Sequence, residues 1–397
     1  MFTVLLSQDL NLLDWSSTNN VAVGLNQDLY IWHAATGSIT LLMSLEVVPE
    51  NYISSVSWIQ KGDIVAIGTS LSTVELWDLN KKVCLRQMKS HANHARVGSL
   101  SWNHHIVSSA SKSGEIHHHD VRVSQHHVGT LKMHTQEVCG LKWNPDGRYL
   151  VSGGNDNLVA IWDAQMSYDN KPLHVLRDHV AAVKAVSWCP WQSNLLASGG
   201  GTADRHIKIW NMYNGNLLQD HDAKSQISSL LWSQNYKEII SGHGVPNNQL
   251  SIWKYPEMSK VSDLTSHTGR VLGMVMSPDE ETIASVGADE TIRFWKCFAM
   301  DEKLKRSKES IIDKRSLSYS GLSRSIRLFF LFFFLIILYY FFLFHKFEIF
   351  FFLVRHVFFI VLKIIFWNIL EIIKFFELGK LRLKKKSAIT RIIEHIS

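Results

Sequence analysis

Two tryptophan ladders of nearly equal step run through the first three quarters of the chain, and no other feature restricts its fold so tightly. In one, Trp32, Trp77, His119, Trp162, Trp210, Trp253 and Trp295 follow at steps of 45, 42, 43, 48, 43 and 42 residues. In the other, Trp15, Trp58, Trp102, Trp143, Trp188, Trp232 and Met276 are separated by 43, 44, 41, 45, 44 and 44. Twelve of the 14 tryptophans fall into these two registers, which scattered core residues would not maintain over six intervals each.

Within each period, short runs alternate apolar and polar residues, as in Val183-Lys184-Ala185-Val186-Ser187-Trp188 and His206-Ile207-Lys208-Ile209-Trp210. This period-two pattern predicts strands. Turn signals such as Asn144-Pro145-Asp146-Gly147 and Ser277-Pro278-Asp279-Glu280 separate them, and no long helical period occurs before residue 300. Several strands in each unit of 40 to 45 residues predict an all-β, seven-bladed β-propeller of WD40 type over residues 9–300.

Polar residues recur at fixed offsets from the first ladder. His134, Ser152 and Asp156 precede Trp162 by 28, 10 and 6 residues, and His267, Ser285 and Asp289 precede Trp295 by the same offsets. The fifth repeat keeps His179 and Asp204 ahead of Trp210 but is longer by three residues, part of which lies in Gly199-Gly200-Gly201-Thr202-Ala203. A buried indole N–H needs an acceptor and a buried imidazole needs both nitrogens satisfied, so Ser, His, Asp and Trp can close a polar network inside one blade. A hydrolytic triad would need a single copy, so the repetition favours structure over catalysis. His117-His118-His119-Asp120 resembles a metal-binding cluster, yet on a strand His117 and His119 face one way and His118 the other, so no metal is expected. The glycine run at 199–201 lacks the Lys-Ser/Thr of a phosphate loop. No cofactor and no enzymatic activity are expected.

Charge matters only once it is divided by region. The formal net charge of +6 is carried by residues 328–397, with seven Lys, three Arg, four Glu and no Asp, while residues 1–327 balance. A basic patch for nucleic acid is therefore not expected in the folded part. Cys84, Cys139, Cys189 and Cys297 show no paired spacing, which suits a reducing compartment. The apolar start, Met1 to Ser7, lacks a basic flank and is interrupted at Asp9, so it does not read as a signal peptide.

The wording of the repeats, beyond their spacing, resembles the Fizzy group of WD-repeat activators of the anaphase-promoting ubiquitin ligase, over about residues 9–300. The stretches that carry this include Asn11-Leu12-Leu13-Asp14-Trp15-Ser16-Ser17, Arg96-Val97-Gly98-Ser99-Leu100, Gln136-Glu137-Val138-Cys139-Gly140-Leu141, Gly153-Gly154-Asn155-Asp156-Asn157 and Trp253-Lys254-Tyr255-Pro256. Ile116-His117-His118-His119-Asp120-Val121-Arg122 and Trp188-Cys189-Pro190-Trp191-Gln192-Ser193-Asn194 are similar to the mitotic branch of that group. The resemblance implies a non-catalytic adaptor that binds short degrons and presents their bearers, such as mitotic cyclins and securin, to the ligase. Its implied partners are subunits of the anaphase-promoting complex and spindle-checkpoint proteins, and its implied location is cytoplasm and nucleus. Positions matching the contacts to a Lys-Glu-Asn degron are Asn155, Thr202, Gln226 and Arg270. Glu290 matches the acidic partner, in the last blade, of a degron with Arg and Leu three residues apart. Ile326-Arg327 matches a terminal dipeptide that docks on the ligase.

Residues 1–8 are shorter than the ligase-docking segment of the resembled family, and Phe2-Thr3-Val4-Leu5-Leu6 is expected to supply the outer strand of the last blade. Residues 301–327 read as a polar linker. Beyond it, Leu328 to Phe344 contains no charged residue, while Ile349 to Leu370 is interrupted by Arg355 and Lys363. Two readings stand: a membrane anchor with basic flanks, which would make the protein a membrane-tethered scaffold, or translated noncoding sequence.

Overall fold

The alternating segments form 27 strands, arranged as six four-stranded sheets and one three-stranded sheet, each antiparallel and in simple chain order. The computed structural model describes residues 10–299 apart from 47, 49, 50, 90, 92–94 and 165–170. Each sheet is one predicted blade. The first strands are Leu13–Trp15, Ile53–Trp58, Val97–Asn103, Val138–Trp143, Val183–Trp188, Ile227–Ser233 and Val271–Met276. Each packs against its counterparts in both neighbouring blades, and the seventh packs against the first, so the ring closes.

Burial follows this geometry. Fourth strands face solvent, as in Ser259–Leu264, and carry residues such as Lys260 and Asp263 that blunt an exposed edge. The apolar residues gather into seven clusters, each spanning two adjacent blades. Leu13, Val21 and Val23 of blade 1 meet Ala284 of blade 7, with Trp15, Trp32 and Val286 packed against them. Phe294 meets Trp15 edge-on at a ring-centroid distance of 5.8 Å and Trp32 in a tilted contact at 4.5 Å. Burial between blades, not within a sheet, is therefore what removes apolar surface from water.

The second ladder explains itself at these interfaces. Trp102 donates its indole N–H to the Ser57 carbonyl at 3.1 Å, Trp188 to Lys142 at 3.0 Å and Trp232 to Ser187 at 3.2 Å. Each acceptor immediately precedes the ladder tryptophan of the preceding blade, so in blades 3, 5 and 6 this residue fastens neighbouring inner strands, whereas Trp15 donates to Asn19 Oδ1 of its own blade at 2.9 Å. Trp143 departs from the rule and donates to the Ser108 hydroxyl at 2.9 Å.

The three-stranded sheet is blade 7, Val271–Met276, Thr282–Gly287 and Ile292–Lys296. Its expected outer strand at 2–6, the linker at 301–327, the dipeptide Ile326-Arg327 and the apolar tail at 328–397 all lie outside the described residues. Among the described residues, no helix is long and apolar enough to cross a membrane.

Candidate peptide-binding rim

The expected blade networks form. In blade 4, His134 Nδ1 lies 3.0 Å from both Asp156 carboxylate oxygens, its Nε2 pairs with Ser152 Oγ at 2.8 Å, and Trp162 donates to that hydroxyl at 2.9 Å. Blade 7 repeats the circuit with His267, Asp289, Ser285 and Trp295. In blade 5, His179 pairs with Asp204 at 2.5 Å and with Ser198 Oγ at 2.6 Å, and Trp210 donates to Ser198 at 2.7 Å. Burial works against ionisation of Asp156, Asp204 and Asp289, but hydrogen bonds from the histidines and nearby amides outweigh it and hold all three below the usual carboxylate range.

Two further circuits escaped the sequence reading. In blade 6, Trp253 donates to Ser241, which pairs with His243, whose other nitrogen meets Ser225 at 2.8 Å. Ser225 stands 28 residues before the ladder tryptophan, in the place of the usual histidine, and the imidazole has moved to the second strand. In blade 3, His91 and His119 share Ser109 Oγ at 3.0 and 2.9 Å, with His119 replacing the indole. His91 is also 28 residues before the ladder position, so the offset alone could have found it. His117 turns away from His118, as the strand alternation predicts: His117 stacks on His91 at 4.0 Å, whereas His118 bonds Ser108 at 2.8 Å. His91, Glu115 and His117 bring one ligand atom each within 4.8 Å of one another. However, Glu115 is paired with Lys132 at 2.7 Å and the two rings lie face to face, so their lone pairs do not converge.

These circuits place the rim residues. The Asp156 carboxylate binds His134, the amide of Thr135 at 3.0 Å and that of Leu158 at 3.2 Å, which fixes the tight turn after the second strand. Gly154 is required there, because a Cβ would stand 2.5 Å from Asp156 Oδ1. The residue leaving the second strand then bonds the residue that precedes the first strand of the same blade. This pairing is Asn155 N to Glu137 O at 2.8 Å, Gly201 N to Ala182 O at 2.9 Å, Gly244 N to Gln226 O at 3.3 Å and Ala288 N to Arg270 O at 2.8 Å. The same bond in four consecutive blades puts Asn155, Thr202, Gln226 and Arg270 at one end of the ring.

Three of the four are contiguous. Thr202 Oγ1 donates to Gln226 Oε1 at 3.2 Å. Gln226 and Arg270 flank Gly244, where an added Cβ would lie 3.2 Å from Gln226 Oε1 and 3.7 Å from Arg270 Cβ. Asn155 sits one blade earlier, its Oδ1 3.4 Å from Cys139 Sγ, which also lies 3.4 Å from the Val183 carbonyl of blade 5. A carboxamide pair, a hydroxyl and a guanidinium on one rim can hold a peptide carboxylate and carboxamide through directed hydrogen bonds. Further round the rim, Arg96 grips Glu137 through two bonds of 2.7 and 2.6 Å. Burial of Arg96 opposes its charge, yet the Glu137 carboxylate more than compensates and raises its pKa.

Glu290 lies apart from this group. It is exposed, at φ 59° between the last two strands of blade 7, and lines a central cavity of about 520 Å³ together with Leu25 and Asn26 of blade 1. All seven blades contribute to that cavity, and Asn155, Thr202, Gln226 and Arg270 are not among its lining residues.

A closed ring of seven sheets, fastened by two ladders and bearing clustered amide and guanidinium groups on one rim, defines a seven-bladed WD40 propeller. Residues 6–295 match the CDC20/Fizzy WD40 domain, and the chain belongs to that family. It is 48% identical over 304 residues to the anaphase-promoting complex subunit cdc20 of Dictyostelium discoideum, covering 76% of this chain and 60% of that protein. It is 47% identical over 301 residues to cell division cycle 20.1, cofactor of APC complex, of Arabidopsis thaliana, covering 75% and 65%. The chain thus spans less than two thirds of the length of these relatives. Among solved structures, a chain of the mitotic checkpoint complex superposes with a TM-score of 0.70 at 47% identity, over 73% of this chain and 88% of that one.

Proposed function

We propose that the protein is a substrate-recognition adaptor and activator of the anaphase-promoting complex, binding Lys-Glu-Asn degrons on the rim and Arg-and-Leu degrons in the groove beside Glu290. The observation that carries this reading is the contiguity of Thr202, Gln226 and Arg270 around Gly244, with Asn155 one blade away. Its partners would be subunits of that ligase, degron-bearing proteins such as mitotic cyclins and securin, and spindle-checkpoint proteins, met in cytoplasm and nucleus. The kinship supports this, since the relatives are named as a subunit and a cofactor of that complex and the related structure as a checkpoint assembly.

An adaptor needs no catalytic group. Ser152, Ser198 and Ser285 are fully buried and each already receives an indole N–H, so none is placed to attack a substrate. The test is Arg270→Glu in the full chain, with affinity for a Lys-Glu-Asn peptide and melting temperature measured together. Affinity should fall at least tenfold with melting unchanged; unaltered affinity would remove the rim from consideration.

A further inference from the structure

In six blades the first strand bulges one residue after its start, leaving Ser54, Gly98, Cys139, Lys184, Ser228 and Leu272 opposite no partner on the second strand. A bulge interrupts the ladder, so its polar backbone groups need other partners. Blade 1 has no such bulge among its described strands, pairing Leu13, Asp14 and Trp15 in register with Val23, Ala22 and Val21. Instead, the residues before it cross to the other blades. Asn11 N donates to the Ser54 carbonyl at 3.3 Å, and Asn11 Nδ2 donates to the carbonyls of Gly98 and Cys139, both at 2.9 Å. The Lys184 ammonium donates to Leu272 O at 2.9 Å and to Leu10 O at 3.0 Å. Four bulge carbonyls from blades 2, 3, 4 and 7 are therefore satisfied by one asparagine and one lysine, and the segment Leu10–Asn11 is the hub on which they meet.

Lys184 does something no other group in this hub does. From blade 5 it ties the backbone leading into blade 1, at Leu10, to the inner strand of blade 7, at Leu272. Those two blades contribute Leu25, Asn26 and Glu290 to the central cavity, which Leu10, Lys184 and Leu272 also line. We infer that Lys184 is a positioning residue for the Arg-and-Leu degron: by holding Leu10 and Leu272 it fixes the spacing of blades 1 and 7 beside Glu290. This rests on the proposed reading of the groove, and it adds a residue that neither the ladders nor the blade networks single out. An ammonium suits the task because its three donors reach separate carbonyls at once. A shorter or neutral side chain at 184 would leave the Leu10 and Leu272 carbonyls without this donor.

The experiment uses Lys184→Met in the full chain, which keeps the aliphatic stem and removes the ammonium, and Lys184→Arg as the conservative variant. Affinity is measured for an Arg-x-x-Leu peptide and for a Lys-Glu-Asn peptide, alongside hydrogen exchange of segments 10–15 and 271–276. The expected result is a loss of tenfold or more for the first peptide, less than twofold for the second, faster exchange confined to those two segments, and substantial recovery with arginine. Unchanged affinity for the first peptide overturns the inference, and so does an equal loss for both peptides with faster exchange throughout the ring. Should the wild-type chain not bind the Arg-x-x-Leu peptide, the groove reading itself fails; exchange then decides the clamp, and unaccelerated segments in Lys184→Met would refute it.

Discussion

Replacing Asp156 with alanine tests whether the blade circuit organises both the fold and the rim. The carboxylate is 5% exposed and its partner His134 is fully buried. Its removal strands two donors that water does not readily reach, His134 Nδ1 and the amide of Leu158. Each buried donor left unpaired costs about 1–3 kcal/mol, so stranding two of them should cost about 3–5 kcal/mol. For a domain of this size that corresponds to a fall in melting temperature of roughly 6–20 °C. Asp156→Asn keeps a neutral acceptor and should lose only about 1–2 kcal/mol. A control is Asp146→Ala, whose carboxylate serves an exposed turn through the Arg148 amide at 2.9 Å and should cost under about 1 kcal/mol. Because the folded pKa of Asp156 lies below the unfolded one, its contribution is complete above about pH 4 and is lost as pH falls through the folded value. Thermal unfolding followed by tryptophan fluorescence gives the stabilities. If Asp156→Ala melts with the Asp146 control, the circuit does not hold the blade and the reasoning is wrong.

Two other outcomes follow from the structure. Burial pushes His91, His118, His119 and His243 down to about 3, 4, 2 and 4, so below about pH 6.5 the unfolded chain binds protons that the folded chain refuses. Stability should therefore fall by up to about 1.4 kcal/mol per pH unit for each such histidine, with acid unfolding centred above pH 4. His119→Trp, which restores the ladder residue, should lower that midpoint; stability that stays flat from pH 7 to 5 would contradict the account. At the groove, Glu290→Lys should weaken an Arg-x-x-Leu peptide at least tenfold and leave a Lys-Glu-Asn peptide within twofold, as read by fluorescence anisotropy. Equal effects on the two peptides would deny that rim and groove are separate sites.

The ladders made the fold legible because the same strand position recurs in every period, whichever partner its side chain meets. In blades 4, 5 and 7 the first ladder spells Trp, Ser, His and Asp, and the shared offsets make those circuits legible. Blade 6 hides its circuit because the histidine has moved to position 243 and Ser225 occupies the usual place; the hydrogen-bond count is conserved while the spelling changes. Blade 3 hides its own because His119 substitutes for the indole. The rim was legible only through resemblance, since Asn155, Thr202, Gln226 and Arg270 occur once each and no periodicity marks them. The hub could not be read at all: Asn11 and Cys139 are 128 residues apart, and only ring closure brings them within 2.9 Å.

The same local chemistry that stiffens each blade also decides where recognition can sit. A network aspartate is held by histidine and by neighbouring backbone amides, so the residues beside it have fixed backbones. Asn155 precedes Asp156 by one residue, Thr202 precedes Asp204 by two and Glu290 follows Asp289 by one. Gln226 and Arg270 reach the same end by the other route, one residue ahead of an inner strand whose bulge is already fixed. Pre-organised side chains lose little freedom on binding, so a short peptide with few contacts can still be held selectively. In blade 6, whose circuit has no aspartate, the turn is held by backbone bonds from Gly244 N to the Gln226 carbonyl at 3.3 Å and from Asn248 N to the Gly244 carbonyl at 3.0 Å. Anchoring by aspartate in blades 4, 5 and 7, and by backbone hydrogen bonds in blade 6, are two solutions to one requirement, a rigid rim built from loops.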